Sequence, residues 1–163
     1  AALRVGIAWS GNRQMGHDAD RSPPGLSTFA PLFDVAGVQW QGLTPDAAMQ
    51  EEERRHGISP LPPVRDLADT AAILRQLDLV VTVDSVVANL APAVGVPTWI
   101  FPTTIPEPRW PMGHARSPWF PLVRPFRRAR LSAWDAAVQA AARALAERVT
   151  RGRDDESPGD ERR

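Results

Sequence analysis

Leu79-Val80-Val81-Thr82-Val83 runs directly into Asp84-Ser85 and then into the small-residue segment Val86 to Gly95. The first five residues are apolar or β-branched on both faces, as an interior strand of a parallel sheet must be when helices cover it on either side. The next ten suit a helix begun by Asp84 or Ser85 and closed by Gly95. A strand that ends against a helix start is the repeating unit of an α/β fold, and the flanking sequence repeats it.

Working outward, Asp66 to Leu77 reads as a helix with Leu67, Leu74 and Leu77 in step, and Pro97 to Phe101 reads as the next strand. Leu3 to Trp9 is a first strand stopped by Ser10-Gly11-Asn12. Phe29, Leu32 and Phe33 share one face of a helix that Ser27 starts and Gly37 ends. Val38 to Leu43 is a second strand, followed by a helix opened by Thr44-Pro45-Asp46. Residues 102–121 are rich in proline and read as a long ordered loop over one end of the sheet, Val123 to Phe126 as an edge strand, and Ser132 onward as a closing helix. Strands alternating with helical segments predict βαβ crossovers and a parallel, Rossmann-like three-layer sheet. One domain over residues 1–149 is expected, with a charged disordered tail over 150–163.

Composition narrows the function classes. With 19 basic and 19 acidic residues in 163, the surface as a whole does not attract nucleic acid or anionic lipid. Cysteine is absent, so disulfides, thiolate metal sites and thiol nucleophiles are excluded. No apolar run approaches the ~18 residues of a spanning helix and no leader pattern is seen, and a cytoplasmic location is expected. The chain starts Ala1-Ala2-Leu3-Arg4, without an initiator methionine and almost directly on a strand, and reads as a piece of a longer protein.

Ligands of parallel sheets bind beyond the carboxyl ends of the strands. Asp84-Ser85 lies there, where the free N–H groups and dipole of the following helix can receive a phosphate, with Asn89 one turn on along the face of Ser85. Capping of the helix by Asp84 or Ser85 is the alternative, and the two roles are compatible. Asp84 repels phosphate at close range, so it suits backbone donors or a ligand hydroxyl. Ser10-Gly11-Asn12-Arg13 offers a hydroxyl, a close backbone approach, an amide and a cation after the first strand, and Arg21 is a second cation in the same loop. By itself that run also fits an ordinary turn with solvated arginines. In the proline-rich loop Arg109 is a further cation, and Trp110 and Trp119 are placed for stacking. His17, His56 and His114 read as solvated or packing residues, and no residue is assigned as catalytic.

The run from Leu79 through Asp84-Ser85, Asn89-Leu90-Ala91 and Gly95-Val96-Pro97-Thr98-Trp99 resembles the signature of heptosyltransferase-type enzymes, glycosyltransferase family nine. The resemblance covers about residues 3–149. It includes Val5 to Asn12, Arg21-Ser22, Asp69 to Ala72, Arg109-Trp110 and Ser117 to Pro121, and is strongest toward glycosyltransferase-like domains that follow tetratricopeptide repeats in bacterial proteins. It implies the C-terminal half of a GT-B fold with no metal requirement, acting on a UDP-, GDP- or ADP-linked sugar. Ser10, Gly11 and Asn12 would then face the diphosphate, Asp84 and Ser85 the phosphate or sugar, and the Arg109 loop would close the cleft. The partners implied are the missing N-terminal half or the repeats of the same protein, and an exposed apolar face can drive self-association. Asn89 stands where the family usually has histidine, and an amide carries neither charge nor proton near neutral pH. That departure favours a second reading, a degenerate domain serving as a scaffold. A dinucleotide-dependent oxidoreductase is disfavoured because no G-x-G-x-x-G occurs.

Overall fold

The computed structural model describes residues 2–11, 13, 16, 18–105, 107–113 and 117–155, with side chains through residue 152. Asn12, His17 and His114 lie outside the described residues. Five parallel strands, β1 (Leu3–Ala8), β2 (Val38–Gly42), β3 (Leu79–Val83), β4 (Thr98–Phe101) and β5 (Val123–Pro125), form one sheet in the order β2-β1-β3-β4-β5. The helices are α1 (Asp18–Arg21), α2 (Ala30–Phe33), α3 (Ala47–Arg55), α4 (Leu67–Leu74), α5 (Val86–Ala93) and α6 (Trp134–Asp155), with a 3-10 turn over Leu26–Phe29.

Alternation along the strands builds the three layers. Val5, Ile7 and Trp9, with Val81, Val83, Trp99 and Phe101, point to the face covered by Leu32, Val138 and Leu145 of α2 and α6. Ala8 and Val80 point to the other face, against Leu74 of α4 and Val87 and Ala91 of α5. Each such buried Leu, Ile or Val contributes about 1.5–3 kcal/mol relative to exposure. The parallel α/β architecture read from the sequence is therefore the one observed.

Several boundaries differ from the sequence reading: the helix expected from Ser27 to Gly37 is a 3-10 turn followed by the short α2, and α4 stops at Leu74 rather than Leu77. The segment after β1 is not only a polar loop: Asp18–Arg21 forms a helical turn. At the far end α6 continues to Asp155, so the expected border between residues 149 and 150 falls inside a helix rather than at the start of a tail. Residues from 156 onward lie outside those described. Among the described residues no helix is long and apolar enough to cross a membrane.

One buried carboxyl joins three elements. Glu53 of α3 is fully buried, and its Oε1 accepts from Trp9 Nε1 at 3.1 Å and Thr44 Oγ1 at 2.5 Å. Oε2 has no partner and lies against Gly42, where an added Cβ would stand 2.1 Å away. Burial outweighs those two hydrogen bonds and raises the pKa of Glu53 above the usual carboxylate range.

Candidate functional site

The sheet changes winding direction between β1 and β3, since β2 lies on one side of β1 and every later strand lies on the other. At such a switch point the loops leaving the two strands diverge and open a crevice. Here the diverging segments are Trp9 to Arg21, after β1, and Asp84-Ser85, after β3. Asp20, Arg21, Asp84, Ser85, Asn89 and Arg109 are among the residues lining a cavity of about 520 Å³ at that point.

Ser85 takes the N-cap position of α5 in an extended conformation, yet its side chain makes no cap hydrogen bond. Its Oγ instead meets Thr82 Oγ1 at 3.0 Å. The helix start is thus open toward the cavity with its dipole unopposed by a capping oxygen of its own. Asn89 Nδ2 donates back to Ser85 O at 3.3 Å, which leaves Oδ1 to accept from Arg109 Nη1 at 2.8 Å.

Arg109 is the centre of the charge arrangement. Its Nη2 is 3.5 Å from Asp84 Oδ1, its Nε bonds Glu107, and its guanidinium carbon is 5.4 Å from the ring centre of buried Trp110. Burial raises the pKa of Asp84, Arg109 opposes the shift, and the neighbouring Glu107 carboxyl adds to it. Burial also pushes Glu107 upward, but hydrogen bonds from Arg109 and Asp84 outweigh it and leave its pKa lowered. With Asp20, the cavity sets three carboxyls against the cations Arg21 and Arg109.

The sequence-derived candidates separate into two groups. Arg21, Asp84, Ser85, Asn89 and Arg109 meet in the cavity. Ser10 and Gly11 do not line it: Gly11 N–H donates to Ser22 Oγ at 2.8 Å, Ser22 donates to Asp18 at 2.8 Å, and Ser10 is buried beside them. A Cβ on Gly11 would stand 2.7 Å from Asp18 Oδ1 and 2.9 Å from Arg21 Cδ, so glycine there lets α1 pack close and bring Arg21 in. Arg13 stacks 5.4 Å over the Trp9 ring and faces a neighbouring cavity that Trp134 also lines. Trp110, expected to offer a stacking face, is only 2% exposed and packs with Ile100, Val123 and Phe120, whereas Trp119 is 69% exposed.

No protein-family model matches the sequence, and no curated protein matches it significantly. Solved structures do. The chain is similar to E. coli heptosyltransferase WaaC with ADP, with a TM-score of 0.61 and 18% identity over 91% of this chain and 46% of that one. For WaaC with ADP-2-deoxy-2-fluoro heptose the TM-score is 0.56, with 19% identity over 93% and 44%. The iron-containing dodecameric glycosyltransferase TibC from enterotoxigenic E. coli gives 0.55, with 14% identity over 93% and 46%.

The chain shares the fold of part of these heptosyltransferase and glycosyltransferase structures.

The chain spans less than half the length of each of these structures. Within the heptosyltransferase-like fold, the residue overlooked in the sequence is Glu107. Its signal was its place two residues before Arg109 in a proline-containing turn, which Trp110 N–H closes on Glu107 O at 2.9 Å and which brings the two side chains into contact.

Proposed function

We propose that the chain is the nucleotide-sugar-binding, C-terminal half of a metal-independent GT-B glycosyltransferase acting in the cytoplasm. The observation that carries this reading is the open N-terminus of α5 at the switch point, flanked by Arg21 and Arg109. The diphosphate sits over the helix start, where backbone N–H groups and the dipole receive it, and the two arginines bracket its charge. Asp84 then accepts from a hydroxyl of the ligand. WaaC is described with ADP and with an ADP-linked fluoro heptose, which favours ADP over UDP or GDP as the leaving group.

Asn89 brings no charge to the departing diphosphate, but its Oδ1 holds a guanidinium that does. Arg109 is a permanent cation, so in this chain it supplies what the histidine of the resembling family would. The acceptor site and the general base belong to the missing half, which meets this domain across the cleft near the exposed Val86 and Ile105. Alone, the chain can self-associate through that rim.

One observation favours a second reading, a scaffold beside helical repeats without transfer activity. Arg109 is already matched by Asp84 and Glu107. Calorimetric titration of the chain with ADP, UDP and GDP, with and without magnesium, separates the two. Saturable binding of one nucleotide, unchanged by magnesium, supports the donor site. A folded chain that binds none of them at millimolar concentration supports the scaffold.

A further inference from the structure

Arg127 and Arg128 follow β5 after Phe126 and reach in different directions. Arg127 Nη2 donates to Trp110 O and to Pro111 O, both at 2.6 Å, and so grips the backbone next to Arg109. Arg128 Nη2 donates to Asp20 O at 2.7 Å and to Pro102 O at 3.4 Å, while Nη1 donates to Leu131 O at 2.5 Å. The bond to Asp20 O grips the backbone next to Arg21. Arg128 is 6% exposed, and its guanidinium carbon lies 3.9 Å from the Trp134 ring centre. Among the described residues neither arginine forms an ion pair.

Burying a cation without a counter-charge is unfavourable unless several acceptors replace its water. Carbonyl groups and an aromatic face do so for the two Nη groups of Arg128, with the Asp20 charge assisting and Nε left without a partner, and the planar fork of arginine reaches two acceptors at once where an ammonium group offers a single point. We infer that Arg127 and Arg128 are positioning residues: a paired staple at the end of β5 that sets where Arg109 and Arg21 stand on the two sides of the cavity. Arg127 acts through Arg109, and Arg128 acts through Arg21. The consequence for nucleotide binding rests on the donor-site reading, while the placement of the two cations does not.

The test uses the whole chain, labelled at arginine, with Arg127→Lys, Arg128→Lys and the corresponding Met variants. Side-chain Nε–H resonances are followed without ligand, assigned through Arg21→Lys and Arg109→Lys. The expected result is selective: changing Arg128 moves the Arg21 resonance and leaves that of Arg109 in place, and changing Arg127 does the reverse. The lysine variants keep the fold if the methionine variants lose it. Both resonances moving together, or neither moving in a folded variant, overturns the staple. Double-mutant cycles with ADP then read the consequence. Arg128→Lys is expected to weaken binding several-fold in the parent and by less than twofold once Arg21 is alanine. Additive effects overturn the action through Arg21. Absence of ADP binding by the parent chain counts against the donor site alone, because the resonance pattern still decides the staple.

Discussion

Arg109 Nη1 donates to Asn89 Oδ1 at 2.8 Å, so the amide on α5 serves as an acceptor that holds the main cation of the cleft over the helix start. Asn89→Leu keeps the side chain's size and removes that acceptor. ADP affinity is expected to fall about tenfold, the weight of a hydrogen bond to a charged group. The melting temperature should change little, because Asn89 is only half-buried. Calorimetry beside thermal denaturation checks both.

On the donor-site reading, Glu107 competes with phosphate for Arg109, whose Nε it already holds. Glu107→Gln is expected to strengthen ADP binding several-fold by lifting one negative charge from the cavity. Burial raises the pKa of Asp84 while Arg109 opposes the shift, and acid therefore lifts negative charge from the carboxyl pair. Binding to the parent chain should therefore tighten toward acid more steeply than binding to Glu107→Gln, in which the carboxyl pair no longer exists. Titrations across pH 5 to 8 measure the difference.

Glu53 carries a pH-dependent stability. Its folded pKa is raised, so the neutral form is the one the fold favours, and its contribution is intact below the unfolded value and lost as pH rises through the folded value. Glu53→Gln keeps an acceptor for Trp9 and Thr44 without a charge. Above that range the variant should be more stable than the parent, by about 1–3 kcal/mol for the relieved buried charge, and at acid pH the two should converge. Denaturant unfolding at several pH values provides the comparison.

Gly11→Ala drives a methyl into Asp18 and Arg21. A loss of about 1–3 kcal/mol, as for overpacking, is expected together with weakened ADP binding, since the clash displaces α1. Asp66→Ala is the control at a residue that does not line the cavity. Asp66 Oδ1 caps α4 through Ala68 N at 2.9 Å and Asp69 N at 3.0 Å, so about 1 kcal/mol of stability should be lost with nucleotide affinity unchanged.

The interior strands were legible because a parallel sheet covered on both faces needs unbroken apolar runs, and Leu79 to Val83 is one. The site was legible where a strand meets a helix directly, as at Asp84-Ser85. It was less so after β1, where Asp18–Arg21 is a single helical turn without apolar periodicity. That turn folds back and engages Ser22 with Gly11, diverting polar groups that looked free for a ligand. Trp110 misled for a different reason: a proline-rich loop suggests exposure, but a large aromatic contributes most by burial, and Ile100 and Val123 provide the place. The reach of Arg128 from the end of β5 to Asp20 spans 108 residues of sequence and leaves no local pattern to read.

Amide shift mapping of the nitrogen-labelled chain during an ADP titration tests the central claim most directly. Saturable perturbations are expected to cluster at Arg21, Ser85, Val86, Asn89 and Arg109, around the open start of α5. Perturbations confined to the neighbouring cavity of Arg13 and Trp134, or none at millimolar ADP, would contradict it.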